Sequence, residues 1–140
     1  MVVNHRIMSL VFAFGVGLLV SFLSYQWISN PERAEKRAIE EAVVRESRLI
    51  LESVVSNGAS LELSDPLNRV REAGKVYIYP LDDGWEVSGH YRRTGEKRWR
   101  PYLMVLNGES SLVSMSVQDD DPAVALKAMN DAKLTITERR

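Results

Sequence analysis

The sequence predicts an α+β protein with a single N-terminal transmembrane helix, a long amphipathic helix packed on a four-stranded antiparallel β-meander, and a short C-terminal helix. Three observations predict this fold: residues 7–28 carry no charge, residues 31–56 repeat apolar side chains at helical spacing, and residues 75–117 alternate apolar and polar side chains between turn signals. We therefore divide the chain into a tail and anchor (1–29), an amphipathic helix (30–58), and a sheet with a short final helix (59–140). The last two segments form one domain.

The composition limits the kinds of site that the chain can build. It has 140 residues, a formal net charge of −1, no cysteine and two histidines. That length suits one domain, and the balanced charge provides no long-range attraction for nucleic acid. Disulfides, thiolate nucleophiles and cysteine-ligated metals are excluded. We expect no cofactor and no nucleic-acid partner.

The anchor is the strongest signal in the sequence. Its 22 uncharged residues, 7–28, would span about 33 Å as a helix, enough for a hydrocarbon core of about 30 Å. Tyr25 and Trp27 lie at its end, where amphipathic rings favour the membrane interface. The alternative is a cleaved signal peptide, but cleavage after Ser24 would place Phe22 where a small residue is required. We predict a retained, single-pass anchor in the lipid bilayer.

The orientation of the anchor has two readings. Arg33, Lys36, Arg37, Arg45 and Arg48 follow it, and the positive-inside rule would place them in the cytoplasm. However, glutamates are interleaved with these cations, and a very short tail before a long apolar run is typical of a signal anchor. We expect a bacterial inner-membrane protein whose C-terminal domain is extracytoplasmic.

Small residues recur along one side of the anchor. Ser9, Ala13, Gly17 and Ser21 follow one another at steps of four, so they lie close to one helix face. Small side chains let a second helix approach closely. The stripe predicts a contact with another membrane protein, although small residues are common in all membrane helices.

The amphipathic helix has clear start and stop signals. Asn30-Pro31-Glu32 supplies an N-cap, a proline at the first helical position and an acid at the positive end of the dipole, and Asn57-Gly58 ends the helix. Ile39, Val43, Ile50 and Val54, with Ala42 and Val55, form the expected buried stripe. A coiled-coil seam is the alternative, but Glu46 interrupts it.

The remaining elements follow from turn signals and alternation. Asp65-Pro66 opens a short helix or turn that ends near Gly74. We expect four strands, at 75–79, 85–92, 99–106 and 112–117, then a helix capped at Asp121 that runs to about residue 132, and a frayed end. This order resembles in outline the helix-then-sheet wrap of cystatin-like and NTF2-like folds, a likeness of topology that implies no function.

Catalytic chemistry has little support. His90 is predicted on the solvent-facing side of its strand, and Asp119-Asp120-Asp121 lacks the spacing of a calcium loop, so we expect a solvated turn and no metal. The chain has no nucleophile-elbow, zinc-protease or phosphate-loop motif in its soluble part.

The hairpin that joins the second and third strands is densely basic. Its cations are Arg92, Arg93, Lys97, Arg98 and Arg100. We expect an exposed surface that meets anionic headgroups or an acidic partner, or else a solvated turn that protects a sheet edge.

Two functions fit these observations. The first is a non-catalytic, membrane-anchored accessory or assembly subunit that acts through protein contacts and, at the basic hairpin, through lipid headgroups. The alternative is a membrane-tethered enzyme or small-ligand-binding domain with a pocket between the helix and the curved sheet.

Overall fold

The computed structural model describes residues 5–69 and 72–137. The chain forms two compact units, Met1–Ala38 and Ile39–Arg140. Helix α1 spans His5–Ile28 and helix α2 spans Pro31–Val55. Among the described residues, one helix, beginning at Ile7, is long and apolar enough to cross a membrane by its length and composition. A signal sequence would pass the same test.

Helix α2 begins at its predicted cap. The side chain of Asn30 accepts a hydrogen bond from the backbone N–H of Glu32 at 3.2 Å, and Pro31 occupies the first helical position. The helix buries Val43, Val44, Ser47, Leu51, Val54 and Val55. The predicted stripe is therefore correct for Val43, Val54 and Val55, and Ile50 is partly buried against the same core. It is wrong for Ile39 and Ala42, which are exposed.

The sheet is larger than predicted and mixed rather than antiparallel. It has six strands, β1 (Leu61–Ser64), β2 (Tyr77–Leu81), β3 (Gly84–Arg93), β4 (Arg100–Asn107), β5 (Leu112–Val117) and β6 (Leu134–Ile136). The order is β1-β3-β4-β5-β6, and β2 pairs with the part of β3 that β1 does not use. All pairs are antiparallel except β5 with β6, which are parallel.

Two strands, β1 and β6, were not predicted, and β1 lies in a segment to which no element was assigned. Strand β1 precedes the segment predicted as a short helix or turn. That segment is a turn closed by a hydrogen bond from the N–H of Asn68 to the carbonyl of Asp65, and its residues 70 and 71 lie outside the described residues. Strand β6 occupies the end that was predicted to fray, of which residues 138–140 lie outside the description.

The core lies between α2 and one face of the sheet. Side chains of Val43, Leu51 and Val55 from the helix join Val87 and Tyr91 of β3, Tyr102, Met104 and Leu106 of β4, and Met115 and Val117 of β5. Helix α3 (Pro122–Asn130) adds Val124 to this core. It starts as predicted, with the side chain of Asp121 accepting from the N–H of Ala123.

Candidate functional site

The most concentrated group of charges lies at one end of the sheet and is largely buried. We call it the Asp119 cluster and define it as Tyr91, Arg93, Glu96, Arg100 and Asp119. Strand β3 carries Tyr91 and Arg93 near its end, and β4 begins with Arg100. Glu96 lies in the turn between these strands, and Asp119 follows β5. Four segments thus bring their charges to one place.

Asp119 is the centre of the cluster. Its side chain has 0% exposure, and its carboxylate accepts hydrogen bonds from Arg93 Nη2 at 2.7 Å and from the hydroxyl of Tyr91 at 2.7 Å. The backbone N–H of Asp121 donates to it at 3.0 Å. Three donor groups, of which Arg93 uses both terminal nitrogens, therefore compensate one buried negative charge, which would otherwise cost several kcal/mol to remove from water.

The two arginines connect Asp119 to the rest of the domain. Arg93 also donates from Nε to the carbonyl of Val55 at 3.1 Å, at the C-terminal end of α2. Arg100 donates to Asp120 at 2.9 Å and to Glu96. The side chains of Arg93 and Arg100 are only 11% and 8% exposed. The cluster therefore fastens the helix, the hairpin and the segment after β5 to one another.

The environment fixes the protonation state of the cluster. Burial alone would raise the pKa of Asp119, but hydrogen bonds from Arg93 and Tyr91 outweigh it and hold that pKa below its usual value. Burial and the hydrogen bond to Asp119 raise the pKa of Tyr91 well above its usual value. At neutral pH the carboxylate is ionised and the phenol keeps its proton, so neither is poised to transfer a proton.

The expectation that the five hairpin cations form one exposed surface is wrong for Arg93 and Arg100. Arg92 is half-buried, pairs with Glu62 and lies over the ring of Trp99 with 4.5 Å between the guanidinium carbon and the ring centroid. Lys97 and Arg98 are the two that remain exposed. Whether that exposed pair binds an anionic partner stays a prediction.

The burial of Arg93 follows a signal that is present in the sequence. Val87, Gly89 and Tyr91 alternate on the buried face of β3, and Arg93 continues the same alternation. An arginine at an inward position requires a buried acceptor. The acidic run supplies it, so the expectation that this run is only a solvated turn is wrong for Asp119.

A surface cleft adjoins the cluster. Its volume is about 460 Å³, and its lining residues are Arg98, Gln118, Asp119, Asp120, Asp121, Ala125, Ile136 and Thr137. Asp119 and Asp120 are already engaged by arginines, and Asp121 caps α3. Within the described ranges, no group of three or more acidic or histidine side chains is arranged to hold a metal ion.

His90 is more enclosed than the sequence suggested. It is only partly exposed, its Nδ1 is buried without a hydrogen-bond partner, and its ring lies against Gly74 so closely that a methyl group added there would overlap it. Burial lowers the pKa of His90. Because Nδ1 has no hydrogen-bond partner, no carboxylate orients the ring through this atom, as a general base would require.

A second buried ion pair lies beneath α2. Arg48 donates from Nη2 to Asp65 at 2.8 Å, and the Asp65 side chain is fully buried. The side chain of Asn68 donates in turn to the carbonyl of Leu63. This pair fastens the helix to the turn after β1, in the same way that Arg93 fastens its C-terminal end.

The predicted stripe of small residues lies entirely on α1. Ser9, Ala13, Gly17 and Ser21 are all exposed, and a methyl group added at Gly17 would meet nothing within 4 Å. The stripe is therefore open to a second helix. A shallow groove on α1 has a different lining: Val11, Phe12, Gly15, Val16 and Leu19.

Apolar side chains are also exposed on the sheet face that points away from α2. Tyr77, Tyr79 and Leu81 of β2 lie on this face beside Leu103 of β4. Their cross-strand partners on β3 alternate with the buried Val87, so they belong to the other face of the sheet. No sequence pattern had predicted this face.

Comparison of the chain with family models, with curated proteins and with solved structures found no match.

Proposed function

We propose that this chain is a non-catalytic, membrane-anchored accessory or assembly subunit, held in the bilayer by α1 and acting through protein contacts of its α+β domain. The observation that carries the proposal is the surface of α1. Its large apolar side chains are exposed along the whole length from Ile7 to Ile28. Such a surface is unfavourable in water and suited to lipid.

The state of the charged groups supports a non-catalytic role. The buried carboxylates Asp65 and Asp119 are each neutralised by an arginine. The environment of a catalytic carboxylate usually shifts its pKa towards the pH at which the enzyme works. Here, by contrast, the partners of Asp119 lower its pKa. Buried charges of this kind hold a fold together.

The domain surface that best suits a protein partner is the exposed sheet face of Tyr77, Tyr79, Leu81 and Leu103. Tyrosines are enriched at protein interfaces and among the residues that contribute most to binding, and the neighbouring leucines enlarge the apolar area of this face. Tyr79→Ser should reduce the recovery of a partner without unfolding the domain. Leu49→Ser is the matched control, because Leu49 is equally exposed but lies on α2.

The stripe on α1 is the second proposed contact, with another membrane helix. Gly17→Leu should weaken association by about 1 kcal/mol or more while leaving insertion intact. Gly15→Leu is the comparison, since Gly15 lies on the opposite side of the helix, in the shallow groove. If only Gly15→Leu weakens crosslinking, the contact uses the groove and the stripe is not the interface.

The test of the proposal is purification of the full chain from detergent-solubilised membranes, followed by identification of the chains that accompany it. We expect a membrane protein at a reproducible ratio, reduced by Tyr79→Ser or Gly17→Leu. Recovery of the chain alone, under detergents that preserve other complexes, would contradict an accessory role.

We further propose that the domain lies outside the cytoplasm of a bacterial inner membrane. Long C-terminal domains translocate largely regardless of the charges that flank a transmembrane helix, so the cations that follow α1 do not oppose this orientation. Reporters fused to the C-terminus test it: an exported phosphatase should be active and a cytoplasmic fluorescent protein silent. The reverse pattern would place the domain in the cytoplasm.

The alternative function is that of a ligand-binding or catalytic domain, and it requires a pocket between the helix and the sheet. That space is filled by core side chains such as Leu51, Tyr91 and Met104. The cleft beside Asp119 offers a small ligand a place outside that core. If a small ligand binds in this cleft, Arg98→Ser should abolish its binding. The same variant should still recover the membrane partner.

A further inference from the structure

The short segment between α1 and α2 has features of its own. We call this junction the interfacial turn and define it as residues 25–33, which include the last turn of α1 and the first residues of α2. The last helical hydrogen bond of α1 runs from the N–H of Ser29 to the carbonyl of Tyr25 at 2.8 Å. Pro31 then begins α2. Proline has no N–H, so the carbonyl of Trp27, four residues earlier, receives no helical hydrogen bond from it.

That carbonyl limits how deep the turn can lie in a bilayer. An unsatisfied backbone group in hydrocarbon costs several kcal/mol, because no water is present to replace the missing donor. Asn30, which caps α2, and Glu32, whose N–H donates to it, are also polar. Water or headgroups must therefore reach the interfacial turn, and the hydrocarbon boundary lies before it.

The side chains of the turn match the headgroup region. The Trp27 side chain is 72% exposed, and the guanidinium carbon of Arg33 lies 5.6 Å from the centroid of its ring. An indole prefers the interface between lipid and water. A guanidinium held over its face keeps N–H groups available at its edge, and these suit the oxygens of a phosphate.

We infer that the interfacial turn is a phospholipid-binding site, in which Arg33, held on the ring of Trp27, takes a lipid phosphate. The inference rests on the proposed anchoring of α1 and adds the ligand and the residues that hold it. Within the described part of the chain, Arg33 has no ion-paired carboxylate. By contrast, Arg45 of the same helix pairs with Glu41 at 3.6 Å.

The first measurement locates Trp27 in the bilayer. The full chain with Trp85→Phe and Trp99→Phe retains Trp27 as its single tryptophan. It is reconstituted in vesicles of phosphatidylcholine and phosphatidylglycerol that carry bromine either near the carbonyl end or near the methyl end of the acyl chains. We expect stronger quenching by the shallow bromine. Stronger quenching by the deep bromine, or none by either, would overturn the inference.

The second measurement tests the phosphate contact through lipid selection. Energy transfer is measured from Trp27 to an acceptor on the acyl chain of phosphatidylglycerol or of phosphatidylcholine. We expect a preference for the anionic lipid that falls by up to about fivefold in Arg33→Gln, since one basic side chain near an anionic surface contributes about that much. Arg45→Gln removes the same charge three turns further along α2 and should keep the preference.

Equal preferences in Arg33→Gln and Arg45→Gln would show a diffuse charge effect and overturn the site. Extraction of the same vesicles at alkaline pH separates this failure from failure of the proposed anchoring. A chain that stays in the bilayer but shows deep quenching contradicts only the interfacial turn. A chain that is released contradicts the anchor.

Discussion

Arg93 lies at the end of β3 on the face that carries Val87, Gly89 and Tyr91, so its side chain enters the core rather than solvent. Burial of an arginine requires nearby acceptors, and Asp119 and the carbonyl of Val55 provide them. The exposed cations Lys97 and Arg98 have no such role. Residues a few positions apart on the same hairpin therefore differ sharply in what they contribute to stability.

Removal of one member of the buried pair should be costly. Arg93→Met leaves the Asp119 carboxylate buried with fewer donors, and we expect a loss of about 3–5 kcal/mol in the free energy of unfolding. Arg98→Met, the exposed control on the same hairpin, should change it by less than about 0.5 kcal/mol. Urea unfolding of the full chain in detergent measures both. Equal effects would mean that Arg93 is an ordinary surface charge.

His90 should make the stability depend on pH. Because burial lowers the pKa of His90 in the folded protein, the unfolded chain binds a proton more readily, near its usual pKa of about 6.5. Stability is therefore full above about pH 6.5 and falls as the pH drops through that value towards the folded pKa.

The measurement compares wild type with His90→Gln, by urea unfolding between about pH 7.5 and pH 5. Wild type should lose more stability over this range than the variant does. If both lose the same amount, the ring is not enclosed by Gly74 in the way that the structure shows.

At the scale of elements, α2 contributes through one face only. Leu51 is 0% exposed and Leu49 is 61% exposed, although they are the same residue type two positions apart. Leu51→Ala should cost about 2–5 kcal/mol, since it removes packed methyl groups and leaves a cavity. Leu49→Ala should cost less than about 0.5 kcal/mol. Thermal unfolding followed by circular dichroism measures the two losses of stability. Similar losses in the two variants would contradict the orientation of the helix.

The elements with local signals could be predicted from the sequence. Asn30 and Asp121 are caps, and they mark the starts of α2 and α3. Strand β5 has the predicted bounds, Leu112–Val117. Strands β1 and β6 were missed because they are short. The four residues of β1, Leu-Glu-Leu-Ser, alternate over only the minimum length of a strand signal, and the three residues of β6 are too few for one. Strand β6 also pairs with β5 across an intervening helix, a contact that local patterns do not report.

The candidate site was predictable only in part. Composition identified the basic hairpin and the acidic run as separate features, and both were assigned to solvent. Their pairing depends on the sheet bringing Arg93 and Arg100 beside Asp119, which is tertiary information. The inward alternation of Arg93 on β3 was the one local signal for that pairing. The exposed sheet face around Tyr79 required knowledge of which side α2 covers.

For the molecule as a whole, the proposed accessory function depends on α1 remaining part of the protein. An exposed apolar helix of this length has two physical fates, insertion into a bilayer or removal as a signal sequence. Only insertion leaves the domain tethered, with the stripe of Ser9, Ala13, Gly17 and Ser21 in lipid. The proposed contact in the membrane depends on that tether, and the tether keeps the proposed contact on the sheet face beside the bilayer.

The intact mass of the chain recovered from membranes after alkaline extraction tests this claim most directly. We expect the protein to remain in the membrane pellet with a mass close to the 15.9 kDa of the full sequence. Release into the supernatant, or a shorter chain that begins after Ser24, would contradict the anchor and the accessory function built on it.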